Sequence, residues 1–357
     1  MKLKSAFFGT LSAAVVCASS LVASQPGLAA DQASNTWGYV NVKGDLVIKP
    51  QYMNAGNFSN GLAPVRVQVT KDGNTDDFWG YINKQGEMVI PAKFDEALGF
   101  QDGLAPARLR DGKWGYIDKT GEYVIPAQFD RADVFSEGLA AASDGTNWGF
   151  IDKTGNWVIK PQYQIACRFS GDRAAVLHND GTGMLSIRVR DDIYNASGGH
   201  WNYIDKTGKI VIDSSFDASG AFGDGIAPAA MGANQGIALP DKWGFVNKNG
   251  MLAIKPQFAN VHTPSEGLAA VQTGQWKKLG QGFRSWTPGK WGYINTRGKL
   301  VVKSQFEGAD PFSEGFAGVR VDGKWGFIDR TGKIVIEPKF TYNGAFHEEL
   351  APVCVSQ

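Results

Sequence analysis

The stretch KWGYIDKTGEYVIPAQFD, residues 113–130, is written again as NWGFIDKTGNWVIKPQYQ at 147–164 and as KWGFIDRTGKIVIEPKFT at 324–341. Self-similarity at a period of about 20–50 residues signals a repeat architecture. The anchor tryptophans are Trp37, Trp79, Trp114, Trp148, Trp201, Trp243, Trp291 and Trp325, so the 357-residue chain holds eight units. Their spacings are 42, 35, 34, 53, 42, 48 and 34, and the irregularity is confined to one place. Counted from each Trp, position +4 is always Asp or Asn, +7 always Gly, +11 Ile or once Val302, and +15 Phe or Tyr. Position +21 is Phe except at Pro264, and +25 opens a small apolar run such as LAPV or FAGV, with Arg173 the exception. All variation in length lies between that run and the next Trp.

Each piece has a local physical reading. WGYI alternates and KIVI is β-branched, so both are predicted strands. Between them DKTG carries Asp or Asn first and Gly fourth, the chemistry of a type I turn whose Gly takes positive φ in a bulge. The apolar run is a third strand that enters the next WG strand through turns such as RDGK. The unit is thus expected to be a three-stranded meander. The Gly after Trp becomes Asn202 in the fifth unit. Asn is the next residue most tolerant of left-handed backbone, so positive φ and a bulge are expected there, turning the Trp onto the neighbouring unit. The +4 series is assigned to turns, because Asn serves as well as Asp.

KWGYIDKTG, PQF and FSEGLA resemble the WG-repeat, or KWG-repeat, proteins of bacteria, over roughly residues 36–357. The departures are Asn202 for Gly, Arg173 for Leu and Pro264 for Phe. The resemblance implies an exported or cell-associated all-β repeat protein, and it implies no activity.

A lone meander cannot bury both faces, so neighbouring units must supply the core. The array starts with TWGYV, a WG strand without its leading apolar strand, and finishes with LAPVCV, an apolar strand without a WG strand. Pairing residues 350–355 with 36–40 would close a ring and remove exposed edges. The fold class expected is all-β, eight tandem three-stranded repeats, with a propeller-like closed ring favoured and an open β-solenoid or superhelix as the alternative. The domains are a secretory signal peptide at 1–30 and a single array at 31–357. Lys2, Lys4, the apolar run 6–22 and the small residues before a cut after Ala29 or Ala30 carry the first of these.

Without that segment there are 34 basic and 35 acidic residues, a net charge near −1. No basic excess marks a nucleic-acid partner, and no membrane insertion is expected after cleavage. Cys167 and Cys354 are expected to be buried thiols rather than a disulfide framework.

Four connections are long: 68–78, 178–200, 230–241 and 272–290; each joins the third strand to the next WG strand, so all are expected to project from one side of the array. Function concentrates in such loops. QTGQWKKLGQGFRSWTPGK, 272–290, interleaves Trp276, Phe283 and Trp286 with Lys277, Lys278 and Arg284; these six are the candidate ligand-binding residues. Aromatic and polar neighbours suit sugar rings or protein anchors. MLSIRVRDDIY within 178–200 alternates like an extra hairpin. Asp72, Asn74 and Asp76 begin a calcium-loop spacing but lack its Gly and distal Glu. His178 and His200 flank the longest connection and lack a third ligand. No nucleophile, phosphate-loop or metal motif is found, so no catalytic residue, metal or cofactor is assigned. The expected function is an exported, non-catalytic binding or scaffold protein of the cell envelope that contacts a glycan or protein partner through these loops. The alternatives are a secreted hydrolase on a propeller-like fold and a purely structural envelope protein. Oligomeric state is left open.

Overall fold

The computed structural model describes residues 35–110, 112–178, 186–190, 193–197, 200–216, 218–231, 242–280 and 283–356. The segment 1–30, where a signal peptide is expected, lies outside them. Among the described residues the regular structure is all β, and no helix is long and apolar enough to cross a membrane.

The strands form eight sheets arranged as an eight-bladed β-propeller. Blade 2 shows the plan: Asn54–Ala55, Ala63–Lys71, Asn74–Ile82 and Met88–Phe94, hydrogen-bonded in that order. A blade therefore takes its first two strands from one repeat unit and its WG and VI strands from the next. Blades 3 to 8 follow over 96–129, 131–163, 165–216, 218–258, 260–306 and 308–340. Blade 1 closes the ring from both ends of the chain, as Tyr342–Asn343, Leu350–Ser356, Asn35–Asn41 and Leu46–Tyr52. Its ladder runs without a break from Asn35↔Ser356 to Asn41↔Leu350, the pairing expected of a ring rather than a solenoid.

Two expectations need correction. The blade has four strands, not three. The extra one is two residues long, three in blade 6, too short to show an alternating pattern in sequence. It is fixed by backbone bonds on either side, such as Met53 N–H to Arg66 C=O and Gly56 N–H to Pro64 C=O, both 2.9 Å. A two-residue turn then leads into the apolar strand, with Asn60 at φ 56° and Gly61 at φ 84°. Ser59 and Leu62 exchange both hydrogen bonds across it, at 2.9 and 3.2 Å, as a type I′ hairpin does.

The second correction concerns the Gly after Trp, which does not take positive φ. The bulge is there, but on the facing strand: Trp37 pairs with Tyr52 and Tyr39 with Ile48, so Gly38 faces three residues. A Cβ on Gly38 would lie 2.4 Å from the Ile48 carbonyl oxygen, and one on Gly244 2.4 Å from that of Ile254. The glycine serves close approach, not left-handed backbone. In blade 5 the bulge is displaced, Asn202 pairs directly with Asp213, and a side chain fits. Gly244→Ala is accordingly expected to cost roughly 1–3 kcal/mol, since only backbone can yield. A urea midpoint within experimental error of the parent would contradict the steric account.

The other turn expectations hold. All eight +7 glycines, Gly44 to Gly332, have φ between 78° and 87°. The +4 residue accepts two backbone N–H bonds in each turn, as Asn41 Oδ1 does from Lys43 and Asp45 at 2.9 and 3.0 Å.

The core lies between blades. Trp37, Tyr39, Ile48 and Tyr52 of blade 1 pack with Ala55, Phe58, Ala63, Val65 and Ile82 of blade 2. The +2 aromatic meets the +21 Phe of the next blade, as Tyr39 with Phe58 at 4.9 Å and Phe327 with Phe346 at 4.8 Å between centroids. Where the +2 residue is Tyr, its hydroxyl also donates to the +19 carbonyl, as Tyr81 to Leu98 and Tyr116 to Asp133 at 2.8 Å. The VI strand is the outer edge: Leu46 and Val47 are exposed and Ile48 is buried. The anchor tryptophans sit in the interblade core, six of them buried. Cys167 and Cys354 are buried, neither is in a disulfide, and burial raises the Cys354 thiol to about 11.

Candidate functional site

The propeller has two unlike ends. At one, the type I′ turns and the DKTG turns form a collar around the axis. The first turn residue, followed by Gly in most blades and by Glu349 in blade 1, carries a carboxylate or amide that accepts the N–H of the next blade's turn. Glu348 takes Gly61 at 3.0 Å, Asn60 takes Gly103 at 3.0 Å, and Asp102 takes Gly138 at 3.3 Å. Glu137 takes Asp172, Asp224 takes Gly267, Glu266 takes Gly315, and Glu314 takes Glu348 and Glu349. A basic residue of the neighbouring DKTG turn joins several of these: Lys84 with Glu348 at 3.3 Å, Lys206 with Glu137 at 3.3 Å, Arg330 with Glu266 at 3.4 Å. Between blades 5 and 6 the link is missing among the described residues. There Gly171 precedes Asp172, reversing the usual order, and Asp172 turns to Lys206 at 3.4 Å. The Ser170 hydroxyl still crosses that seam to the Phe222 carbonyl.

The collar's carboxylates are occupied by backbone N–H groups and cations, which makes it a structural hoop. The DKTG aspartates are occupied too. Hydrogen bonds from the Thr hydroxyl and then from backbone N–H groups hold Asp118, Asp152, Asp205 and Asp329 below the ordinary carboxylate range. A folded pKa below the unfolded value of about 3.9 means the stabilisation is full above that pH and is lost as pH falls through the folded value. The drop in stability between pH 5 and pH 2.5 is expected to be shallower in an Asp118→Asn/Asp152→Asn/Asp205→Asn/Asp329→Asn variant. Superimposable urea midpoints for parent and variant across that range would contradict this.

Near the axis, position +19 is matched to position +27. Where +27 is Pro64, Pro228 or Pro352, +19 is glycine, and a Cβ on Gly56 would lie 2.8 Å from Pro64 Cγ; the exception is Pro106, which faces the buried Leu98. Where +27 is Ala141, Ala175 or Ala270, +19 is the buried Asp133, Cys167 or His262. Burial pushes the Asp133 carboxyl up, opposed by the Arg168 guanidinium of blade 5 at 3.6 Å. These groups fill space between blades.

The opposite end carries the varied connections, as expected. In blade 2 the ladder continues to Lys71↔Asn74, closed by Asp72 and Gly73 at φ 52° and 79°. Asp76 is held by Arg110 at 3.2 Å, so the calcium-like spacing is a ribbon turn, and no metal-binding cluster occurs among the described residues. In blade 5 the alternating segment does form a hairpin, Ser186–Arg190 with Ile193–Ser197. His178 and His200 are directly opposed at its base. Of the connection 230–241, residues 232–241 lie outside the described residues.

Blade 7 reaches furthest. Its strands Leu268–Gly280 and Phe283–Asn295 are each 13 residues long, against 4 for Ala140–Ser143 of blade 4. At about 3.3 Å per residue, the part beyond Thr273 rises roughly 20 Å. At its base Gly289 passes so close to Thr273 that a Cβ would meet its carbonyl oxygen at 2.3 Å. There the Gln272 side-chain amide donates to the Gly289 carbonyl at 3.0 Å. Register brings four of the six candidate residues together: Trp276↔Trp286 and, two places on, Lys278↔Arg284. Lys277 pairs with Ser285 on the alternate face, and Phe283 pairs with Gly280 at the tip. The side chains of 275–286 are outside the described part of the chain. That 272–290 is a ribbon rather than a loop was not foreseen. The alternation of its two arms was the available signal, broken by Gly280 and Gly282.

A profile of the family described as WG containing repeat matches residues 37–68, 79–114, 114–145, 148–181, 201–233, 243–275, 291–325 and 325–356. No curated protein is similar to the chain at a significant level. Among solved structures it is similar to the computationally designed Ika8 protein, at 11% identity and TM-score 0.47, covering 84% of this chain and 94% of that one. It is also similar to BamB from Moraxella catarrhalis, at 11% identity and TM-score 0.42, covering 89% of this chain and 91% of that one.

Proposed function

Because this chain belongs to the WG containing repeat family, with the matched repeats building the frame and the unmatched ribbons varying, we propose that it is an exported, non-catalytic binding or scaffold protein of the cell envelope. The partner is a glycan or a protein, met at the end of the propeller that carries the long connections. The observation that supports this most is the blade 7 ribbon, which stands clear of the blade and pairs Trp276 with Trp286 and Lys278 with Arg284. A rigid two-stranded mount fixes backbone positions before binding, so less ordering entropy opposes association. Cross-strand aromatic pairs with neighbouring cations are suited to sugar faces and acidic substituents. By contrast, the repeated carboxylates at the other end are committed to the turns and the hoop.

The test is co-sedimentation of the chain from residue 31 onward with purified peptidoglycan and insoluble polysaccharides, beside a Trp276→Ala/Trp286→Ala variant. The expected result is retention of the parent and at least a tenfold loss in the variant, as for removal of two aromatic anchors. Equal retention of both proteins would remove the ribbon from the site. Retention of neither would assign the ribbon to a protein partner, to be identified by crosslinking in the native envelope.

A further inference from the structure

The blade 5 insertion does not stay with its own blade. Its second strand pairs with the short inner strand of blade 6, through Ile193↔Gly220, Tyr194↔Ser219 and Asn195↔Ala218. Blade 6 is thereby extended to six strands. In the other seven blades the short strand is the edge nearest the axis, since the VI strand is outermost and the collar turn follows the short strand directly. The inserted hairpin therefore lies on the axial side of blade 6, toward the end with the long connections.

The backbone makes that edge receptive. In the other blades the +19 residue donates its N–H away from the axis, to the +27 carbonyl, as Leu98 to Pro106 at 3.0 Å and Cys167 to Ala175 at 2.9 Å. Strand alternation then aims the N–H and C=O of the preceding residue, +18, at the axis. Blade 2 caps this N–H from within: Ala55 N–H donates to Asn54 Oδ1 at 2.8 Å. Blade 6 has Ser219 at +18, and there the chain supplies a whole strand. Unpaired backbone groups at a sheet edge are a template for an added strand.

The seating is slight. Three register pairs hold the hairpin to blade 6, against five within the hairpin and seven in the ladder that closes the ring. It bridges the same pair of blades, 5 and 6, whose turns at the opposite end lack the carboxylate link among the described residues. From these observations we infer that the inner edge of blade 6, Ala218–Gly220, is a strand-addition site for an extended peptide segment of a partner protein, and that the paired strands Ser186–Arg190 and Ile193–Ser197 are its resident, displaceable occupant. This rests on the reading of the chain as a binding protein and adds the mode of recognition: main-chain pairing at the axis, separate from the blade 7 ribbon.

The probe is a labelled peptide of residues 186–197. The receiving protein has 178–200 replaced by the Asp-Gly-Thr-Asn turn that joins Ser143 to Trp148 in blade 4, here joining Leu177 to Trp201. A full-length Tyr194→Pro protein, which loses the central N–H of the seated strand, serves as a second receiver should the first not fold. Saturable one-to-one binding to either folded receiver is expected, with at least tenfold weaker binding to the parent, whose own hairpin competes at high effective concentration. N-methylation of the peptide at Tyr194 is expected to weaken binding about tenfold, the effect of one lost ladder bond. A folded receiver that does not bind the peptide overturns the inference, as does an N-methylated peptide that binds equally well. No glycan enters this assay, so it can fail while the sedimentation result stands, and the reverse.

Discussion

A chain ending at Glu349 is expected to lose its cooperative melt and to associate in solution. The deletion removes Leu350–Ser356, the second strand of blade 1, and with it all seven register pairs to Asn35–Asn41. Blade 1 is then left with one two-stranded hairpin of its own and a stranded inner pair. Leu350, Ala351, Val353 and Cys354 leave the core, and Trp37, Tyr39 and Val40 lose their cover. A two-stranded hairpin is at best marginal in water, and it would have to hold the faces of blades 2 and 8. The loss is comparable with the whole stability of a domain, about 5–15 kcal/mol. Calorimetry and gel filtration of the truncated chain check this. Adding a peptide of residues 350–357 is expected to restore the melt in part, by mass action. A truncated monomer that melts like the parent would mean that blade 1 is not the closure.

Trp201→Ala is expected to cost about 3–5 kcal/mol, the range for an aromatic removed from a core that cannot collapse. Trp201 is fully buried and packs in a cluster that joins Ile165, Leu177 and Phe216 of blade 5 to Phe222, Ala227 and Val246 of blade 6. This seam also lacks the carboxylate link, so the indole stands in for more of its cohesion. Trp325 is less buried, and Trp325→Ala is expected to cost less. Urea titrations of both variants, with slopes compared, give the ordering. A Trp201→Ala midpoint equal to the parent's would refute the packing role.

The parts of the fold that were legible are those in which one residue answers to one local demand. Gly44 and its equivalents need positive φ and Asn41 and its equivalents need an acceptor oxygen, so turn position and type could be read directly. Closure was legible because the two ends of the array are complementary. Gly38 was misread because glycine answers two demands, left-handed backbone and close approach. Composition does not separate them; the three-residue bulge on the facing strand does. Asn54–Ala55 and its equivalents were missed because two residues carry no period. The collar was missed because Glu348 reads as a turn residue, and the N–H it accepts, on Gly61, belongs to another unit. The hairpin at 186–197 was legible from its alternation, but its docking on Ala218–Gly220 was not, since a strand's pattern does not name its neighbour.

Ring closure also sets an order of events during synthesis. Asn35–Asn41 is made first, and its partner Leu350–Ser356 is made last, after 308 intervening residues. At roughly 5–20 residues per second the first strand waits about 15–60 seconds with one edge unpaired. Over that interval a nascent chain with seven blades complete would still expose a hydrophobic strand edge at each end, open to any other strand nearby. The native ring can form only once the seven residues of the closing ladder are free, so the last step of folding waits on the synthesis of all eight units rather than proceeding unit by unit.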